Sequence, residues 1–182
     1  MKPTYRSSRG GRRQLIVAVI VLLLLARFGW EWWKGEPNAP PPMEGEQRLV
    51  RVADGDTLLV RPIAAAAGAE PPEFRLRLLG IDAPESVKPD HPVEPFGPEA
   101  SEFARQFTQD GLLRLQYDNR REDQYGRRLA YVYVGEQMLN EELVRAGLAR
   151  VNAYREDSAP MTRLLEKAEA EAKAARRGIW SQ

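Results

Sequence analysis

Phe74–Ser86 reads FRLRLLGIDAPES, an alternating run that ends in two carboxylates around Ala83-Pro84. Phe74, Leu76 and Leu78 fall on one side of an extended chain, and Arg75, Arg77 and Leu79 on the other, because successive side chains of a strand point to opposite faces. The run therefore reads as a strand carrying both arginines on a single side, bounded by Gly80 and Pro84. Taken alone, it is a solvated strand face followed by an acidic turn. The alternative is a site. Carboxylates beside arginines make a poor solubility patch, but they suit a hard cation, which takes oxygen ligands, next to a phosphate.

The same alternation recurs on both sides of this stretch. RLVRVA from Arg48, DTLLVRPI from Asp56, LLRLQYD from Leu112 and RLAYVYV from Arg128 each read as strands. The Ala/Gly/Pro-rich AAAAGAEPP is a long hairpin connection. Helices are expected in three places. GPEASEFARQFTQDG puts Ala100, Phe103, Ala104 and Phe107 on one face, with Pro98 near its start and Gly111 past its end. A short helix is expected at about Asn140 to Ala146, stopped by Gly147. A last one starts near Ser158-Ala159-Pro160, with Leu164, Leu165, Ala168, Ala172 and Ala175 along one face, and ends at Gly178. Five strands with helices among them indicate an α+β domain, a small closed barrel with helices packed on one side.

Composition narrows the chemistry. The 182 residues are 43% hydrophobic, enough for a packed core, and include no cysteine. Disulfides, thiolate zinc sites, a cysteine nucleophile and a lipidated cysteine are all excluded. The one histidine, His91, sits in KPDHPVEP and reads as a loop residue, so no histidine pair or multi-histidine metal site is available. Chemistry must run on carboxylates, arginines, hydroxyls or a bound metal.

The net charge of +1 averages unlike segments. Residues 1–34 hold seven basic residues against Glu31, whereas Glu36, Glu44 and Glu46 make residues 35–47 acidic. Beyond residue 47 the chain carries −2, so it is not a basic module, and any polyanion site within it must be local. Leu15–Ala26 is an unbroken apolar run behind a basic tail. Such a pattern is either a retained signal anchor or a cleaved signal peptide. Trp30, Trp32 and Trp33, resembling an interfacial belt, and the lack of a small-x-small site favour the anchor, with Arg27 snorkelling from a transmembrane helix at about 14–33. The preceding basic residues place the N-terminus in the cytoplasm and the rest outside. Residues 35–47, rich in proline, glycine and glutamate, read as a spacer, and residues 48–182 as the domain.

Two further polar clusters accompany the opening stretch. ADGDT, Ala53–Thr57, reads alone as a capped turn. DQYGRRLAY, Asp123–Tyr131, turns at Tyr125-Gly126 and opens a strand with Arg127, while Arg128 points to the other face. What changes their reading is order. ADGDT, RLLGIDAPE, FGPEASEFA, YGRRLAYVYV, LNEELVRAGLARV and EAKAARRGIW follow one another across one domain length, and this series closely resembles the staphylococcal (micrococcal, or thermonuclease) nuclease family. The resemblance covers nearly all of residues 48–182 and leaves out the N-terminal span and the linker.

The resemblance implies a five-stranded OB-type barrel with three helices, and a calcium-dependent, sequence-nonspecific nuclease that cuts DNA or RNA to 3′-phosphates. It implies Asp56 and Asp82 as Ca2+ ligands, with the backbone carbonyl of Ala83 as a third. Glu85 becomes the base that activates water, and Arg77 and Arg127 the pair that contacts the scissile phosphate. Tyr125 and Tyr154 would touch the nucleotide. Gln124 stands where the best-known member has a lysine, and only Tyr154 remains near its two base-stacking tyrosines. No protein partner is implied, and the catalytic domain is expected to be monomeric. A non-catalytic OB-type binding module held at the membrane is the rival reading, and the joint presence of all five catalytic-type side chains argues against it.

Overall fold

Leucine and valine at alternate positions build the inner wall of the domain. The computed structural model describes residues 43–63, 71–86 and 93–181. The expected membrane span, most of the spacer and His91 lie outside the described residues. No helix among the described residues is long and apolar enough to cross a membrane.

The strands run β1 Met43–Asp54, β2 Thr57–Pro62, β3 Phe74–Leu78, β4 Ile81–Asp82, β5 Leu112–Gln116, β6 Arg128–Val134, β7 Gln137–Met138 and β8 Arg150–Val151. The helices are α1 Gly97–Phe107, α2 Leu139–Arg145 and α3 Ala159–Ala174, followed by a 3-10 turn at Gly178–Trp180. All belong to one compact unit, Pro40–Gln182. β1, β2, β3, β5 and β6 are the five strands expected, and antiparallel pairing orders them β3-β2-β1-β5-β6. A parallel pairing of β3 with β6 then closes the ring into a barrel of OB type.

β1 takes part on both sides. Its first half pairs with β5, from Met43↔Gln116 to Arg48↔Leu112, and its second half with β2, with register shifts at Leu49/Arg51 and Val52/Asp54. Such bulges bend a strand enough to serve two neighbours. The strand thus starts inside the expected spacer. The polar composition of that start carries no apolar alternation, and the backbone ladder to β5 makes the strand there.

Leu58, Val60, Leu76, Leu78, Leu113, Leu115, Ala130 and Val132 fill the barrel, all essentially inaccessible to solvent. α1 buries Ala100 and Ala104, with Phe103 and Phe107 partly covered as the expected face requires. α3 buries Met161, Leu165, Ala168 and Ala172. Ala175, expected on that face, lies past the helix end and is exposed, and Met161 takes up the stripe one turn earlier. Leu79 also departs from its strand alternation. β3 ends at Leu78, the chain turns through Gly80 at φ 77°, and Leu79 swings into the core. A Cβ on Gly80 would lie 2.8 Å from Leu165 Cδ1, so glycine meets both the backbone and the packing requirement there.

The β3–β6 seam has its own lock. Leu79 N–H donates to Ala130 O at 2.9 Å. Asn140, fully buried at the start of α2, accepts from Val132 N–H at 2.9 Å and donates through Nδ2 to Leu79 O at 2.9 Å. One side chain therefore satisfies backbone groups on both sides of the closure. Replacing it with alanine leaves a buried donor and acceptor unpaired, each costing about 1–3 kcal/mol. Asn140→Ala should lower the unfolding free energy by about 3 kcal/mol, read as a lower urea midpoint; an unchanged midpoint would show that the seam does not need this lock.

Candidate active site

The seam sets two arginines next to each other. Its register pairs Arg77 with Leu129, so Arg77 on β3 lies beside the start of β6, where Arg127 leaves the turn. Both line one cleft of about 370 Å³, with Tyr125, Tyr154, Arg120, Glu122, Asp123, Gln124 and Asn152 among its walls. Arg75, on the same strand face, points into solvent. Arg128 also lies outside the cleft, over the Phe74 ring at 4.0 Å from its centroid.

The acids reach Arg77 from two turns. Asp56 ends the β1–β2 turn and is only 1% exposed. Its Oδ1 accepts from Arg77 Nη1, and Arg77 Nη2 donates to Asp82. Oδ2 accepts the Ala83 N–H at 2.8 Å, and Thr57 Oγ1 donates to Oδ1 at 3.2 Å. Burial pushes the Asp56 carboxyl up to about 6; Arg77 and the Ala83 N–H oppose that shift, and the negative charges of Asp54 and Asp82 add to it. Asp82 sits on β4, opposite Arg150 of β8, and is more than half exposed.

These residues fit a hard divalent cation. Asp56 and Asp82 stand close enough to share one guanidinium, their donors are oxygens, and burial raises the Asp56 carboxyl, a shift that a bound cation would oppose. Among the described residues no group of three or more acidic, histidine or cysteine side chains is arranged as a metal centre. Backbone and water oxygens would therefore complete the shell. The contact that Ala83 makes with Asp56 is through its N–H and not its carbonyl.

Glu85 lies just beyond, half-buried, and does not line the arginine cleft. Its main chain is held twice by Glu94: Glu85 N–H donates to the Glu94 carboxylate at 3.1 Å, and Glu94 N–H donates to Glu85 O at 2.9 Å. A Cβ on Gly97 would come within 2.6 Å of Glu85 O, so only glycine lets α1 start this close to the loop. Ser86, the next residue, donates to Asp54 Oδ1 at 2.6 Å and shares a 2.8 Å hydrogen bond with Ser101 of α1. Asp54, in the quoted turn but not singled out there, thereby ties the Glu85 loop to the turn that carries Asp56.

Asp123 is a second residue that sequence reading passed over. Its Oδ1 accepts the N–H groups of Tyr125 and Arg127 at 2.9 and 3.0 Å, and its Oδ2 accepts Arg127 Nε at 2.6 Å. The four-residue spacing from Asp123 to Arg127 was its only signal. Tyr125, 75% exposed, is beside the Arg127 guanidinium, 5.5 Å from ring centroid to charge. Tyr154, 54% exposed, also lines the cleft. The expected phosphate pair and nucleotide-contacting tyrosines thus share one cleft; Asp82 and Ala83 border a neighbouring depression of about 380 Å³ with Arg150 and Phe96.

Partial burial tends to raise the Asp123 carboxyl, but the hydrogen bonds from Arg127 and Tyr125 together with the Arg127 charge outweigh it and hold the group below its ordinary 3.8. A depressed value means stability that is fully present above 3.8 and lost as pH falls through the folded-state value. The stability difference between the native chain and Asp123→Asn should hold through neutral pH and close in strong acid. A difference that persisted unchanged in strong acid would overturn that account.

Comparison with known proteins bears on the whole arrangement. The chain is 40% identical over 170 residues to the thermonuclease of Staphylococcus hyicus, covering 92% of this chain and 94% of that one. With the thermonuclease of Staphylococcus intermedius it shares 35% over 172 residues, 92% and 95% of the two chains. Endonuclease YncB of Bacillus subtilis (strain 168) is 34% identical over 148 residues, 78% of this chain and 67% of that one. The first two alignments are longer than residues 48–182, so the likeness extends beyond the barrel into the N-terminal region. The staphylococcal nuclease homologue model matches residues 75–182, from β3 through both arginines to the C-terminal helix, and the chain belongs to that family.

Proposed function

We propose that this chain is a calcium-dependent, sequence-nonspecific nuclease that hydrolyses DNA or RNA to 3′-phosphate products. That it is a phosphodiester hydrolase follows from its kinship with thermonucleases and an endonuclease. The observation that carries the finer reading is the meeting of Arg77 with Asp56 and Asp82 at the edge of a cleft that also holds Arg127.

Attack on a phosphodiester builds negative charge on the phosphoryl oxygens. Arg77 and Arg127 present guanidinium forks suited to those oxygens, and Asp123 holds the second fork in place. Calcium bound by Asp56, Asp82 and the Ala83 carbonyl would supply further positive charge and a polarised water. Glu85 takes the proton of the attacking water, which removes any need for histidine. Glu94, Ser86 and Gly97 hold the main chain that presents it. Water attacks phosphorus and the 5′ oxygen departs.

The apolar run Leu15–Ala26, its basic flank and the following tryptophans support tethering to the membrane with the nuclease domain outside, where free calcium is generally plentiful. Released by cleavage of that segment, the domain would be secreted instead.

The full chain, purified in detergent, should cleave single-stranded DNA, double-stranded DNA or RNA with calcium and stop with a chelator. Glu85→Gln should lower kcat by about 10²–10⁴ with KM little changed, the size expected for a lost general base. Arg77→Ala should lower kcat/KM by at least about 10², as for removal of one transition-state donor. No calcium-dependent cleavage by the native chain would sink the nuclease reading, and binding retained without cleavage would favour a non-catalytic module. Undiminished cleavage by both variants would reassign the site. In fractionated cells the chain should stay with membranes through a high-salt wash and leave with detergent; recovery in the medium would show a cleaved segment.

A further inference from the structure

Arg120 and Tyr154, which both line the cleft, are held by one buried carboxylate. Arg120 donates from Nε and Nη2 to the two oxygens of Asp157, at 2.8 and 3.0 Å. The Asp157 side chain is 0% exposed, and its Oδ2 also accepts the Tyr154 N–H at 2.8 Å. One buried carboxylate therefore fixes both a guanidinium and the main chain of an exposed aromatic residue. The guanidinium lies 4.0 Å from the Tyr154 ring centroid, as a cation stacked on the ring.

A purely structural reading makes this ion pair a staple between the segment after β5 and the loop before α3. Those segments are already joined without it. Asn119 Nδ2 donates to Glu156 O at 2.8 Å, and the buried Asp118 accepts both Ser158 N–H at 2.8 Å and the Tyr131 hydroxyl at 3.1 Å. A buried ion pair is also a weak source of net stability. Its geometric consequence is plainer: Arg120, 25% exposed, is held at the cleft wall with Nη1 engaged by no hydrogen bond among the described residues, beside a tyrosine that stays open to solvent.

We propose that Arg120 is a substrate-positioning residue: anchored by Asp157 and stacked on Tyr154, it takes the phosphate of the nucleotide next to the scissile phosphodiester. This rests on the nuclease reading and extends it, because it makes the cleft recognise a polynucleotide strand and not an isolated phosphodiester. Arg77 and Arg127 hold the reacting phosphate, and Arg120 holds the strand in register beside it.

The test compares the full chain with Arg120→Ala and Arg120→Lys on two substrates, a single strand of about ten nucleotides and a dinucleoside monophosphate with one phosphodiester. Arg120→Ala should raise KM for the longer strand about tenfold, the scale of one lost hydrogen bond to a charged group, with kcat nearly unchanged and both constants for the dinucleoside unaltered. Arg120→Lys, which keeps the charge, should recover most of the loss. With calcium omitted, the slope of log affinity against log salt for a labelled strand should fall by about 0.7 in Arg120→Ala, one phosphate contact on a single strand. An unchanged KM for the longer strand, or equal proportional losses on both substrates, would overturn the assignment. If the native chain cleaves neither substrate, the nuclease reading fails by itself; strand affinity and salt slope then decide, and Arg120→Ala values equal to native would overturn the phosphate contact as well.

Discussion

The parallel pairing of β3 with β6 is the constraint on which the site depends. An open sheet in the order β3-β2-β1-β5-β6 would put those two strands at opposite edges, with Arg77 and Arg127 as far apart as the sheet is wide. Closure brings the edges together, removes the unpaired ladder that an edge exposes, and pairs Arg77 with Leu129. Parallel pairs need long crossover connections, and here the intervening chain includes α1 and β5. Asn140 secures the closure from α2, since its amide serves Leu79 on one side and Val132 on the other.

Around that seam, the acidic side of the site is held by polar contacts that few hydrophobic patterns would announce. Asp56 is buried and shares Arg77 with Asp82, an arrangement in which desolvation opposes charge and only nearby cations and N–H groups compensate. Asp54, Ser86 and Ser101 form a second tier that fastens the Glu85 loop to α1 and to the β1–β2 turn. On the other side, Asp123 and Asp157 each hold one arginine at the cleft, one through a turn and one across two segments. Each basic group in the cleft thus has an acidic partner that sets its direction, which limits the entropy lost when a polyanion arrives.

Much of this was legible in one dimension. Alternation marked all five barrel strands, and helical spacing found two of the helices, because both patterns report the same demand to bury one face; the short helix between them was marked by its stop at Gly147. Errors fell where a different force decides. β1 starts early because its first residues, which carry no apolar alternation, pair with β5 through the backbone. Leu79 is buried because a turn at Gly80 ends the alternation one residue before the pattern does. The two-residue strands β4, β7 and β8 are too short to carry a period, yet β4 with β8 places Asp82.

By itself the sequence determined the secondary elements, the absence of thiol chemistry and of any histidine pair, and the ordered motifs that hold Asp56, Arg77, Asp82, Glu85 and Arg127. These are local properties: a period, a composition, a spacing within a few residues. The tertiary structure alone decided that Arg77 would be shared by two acids 26 residues apart in the chain, that Arg127 would stand beside it, and that Asp157 would hold Arg120 across 37 residues. Such contacts arise from barrel closure and from the desolvation of buried carboxylates, and neither leaves a period in the chain, because both depend on which distant segments the closed sheet brings together.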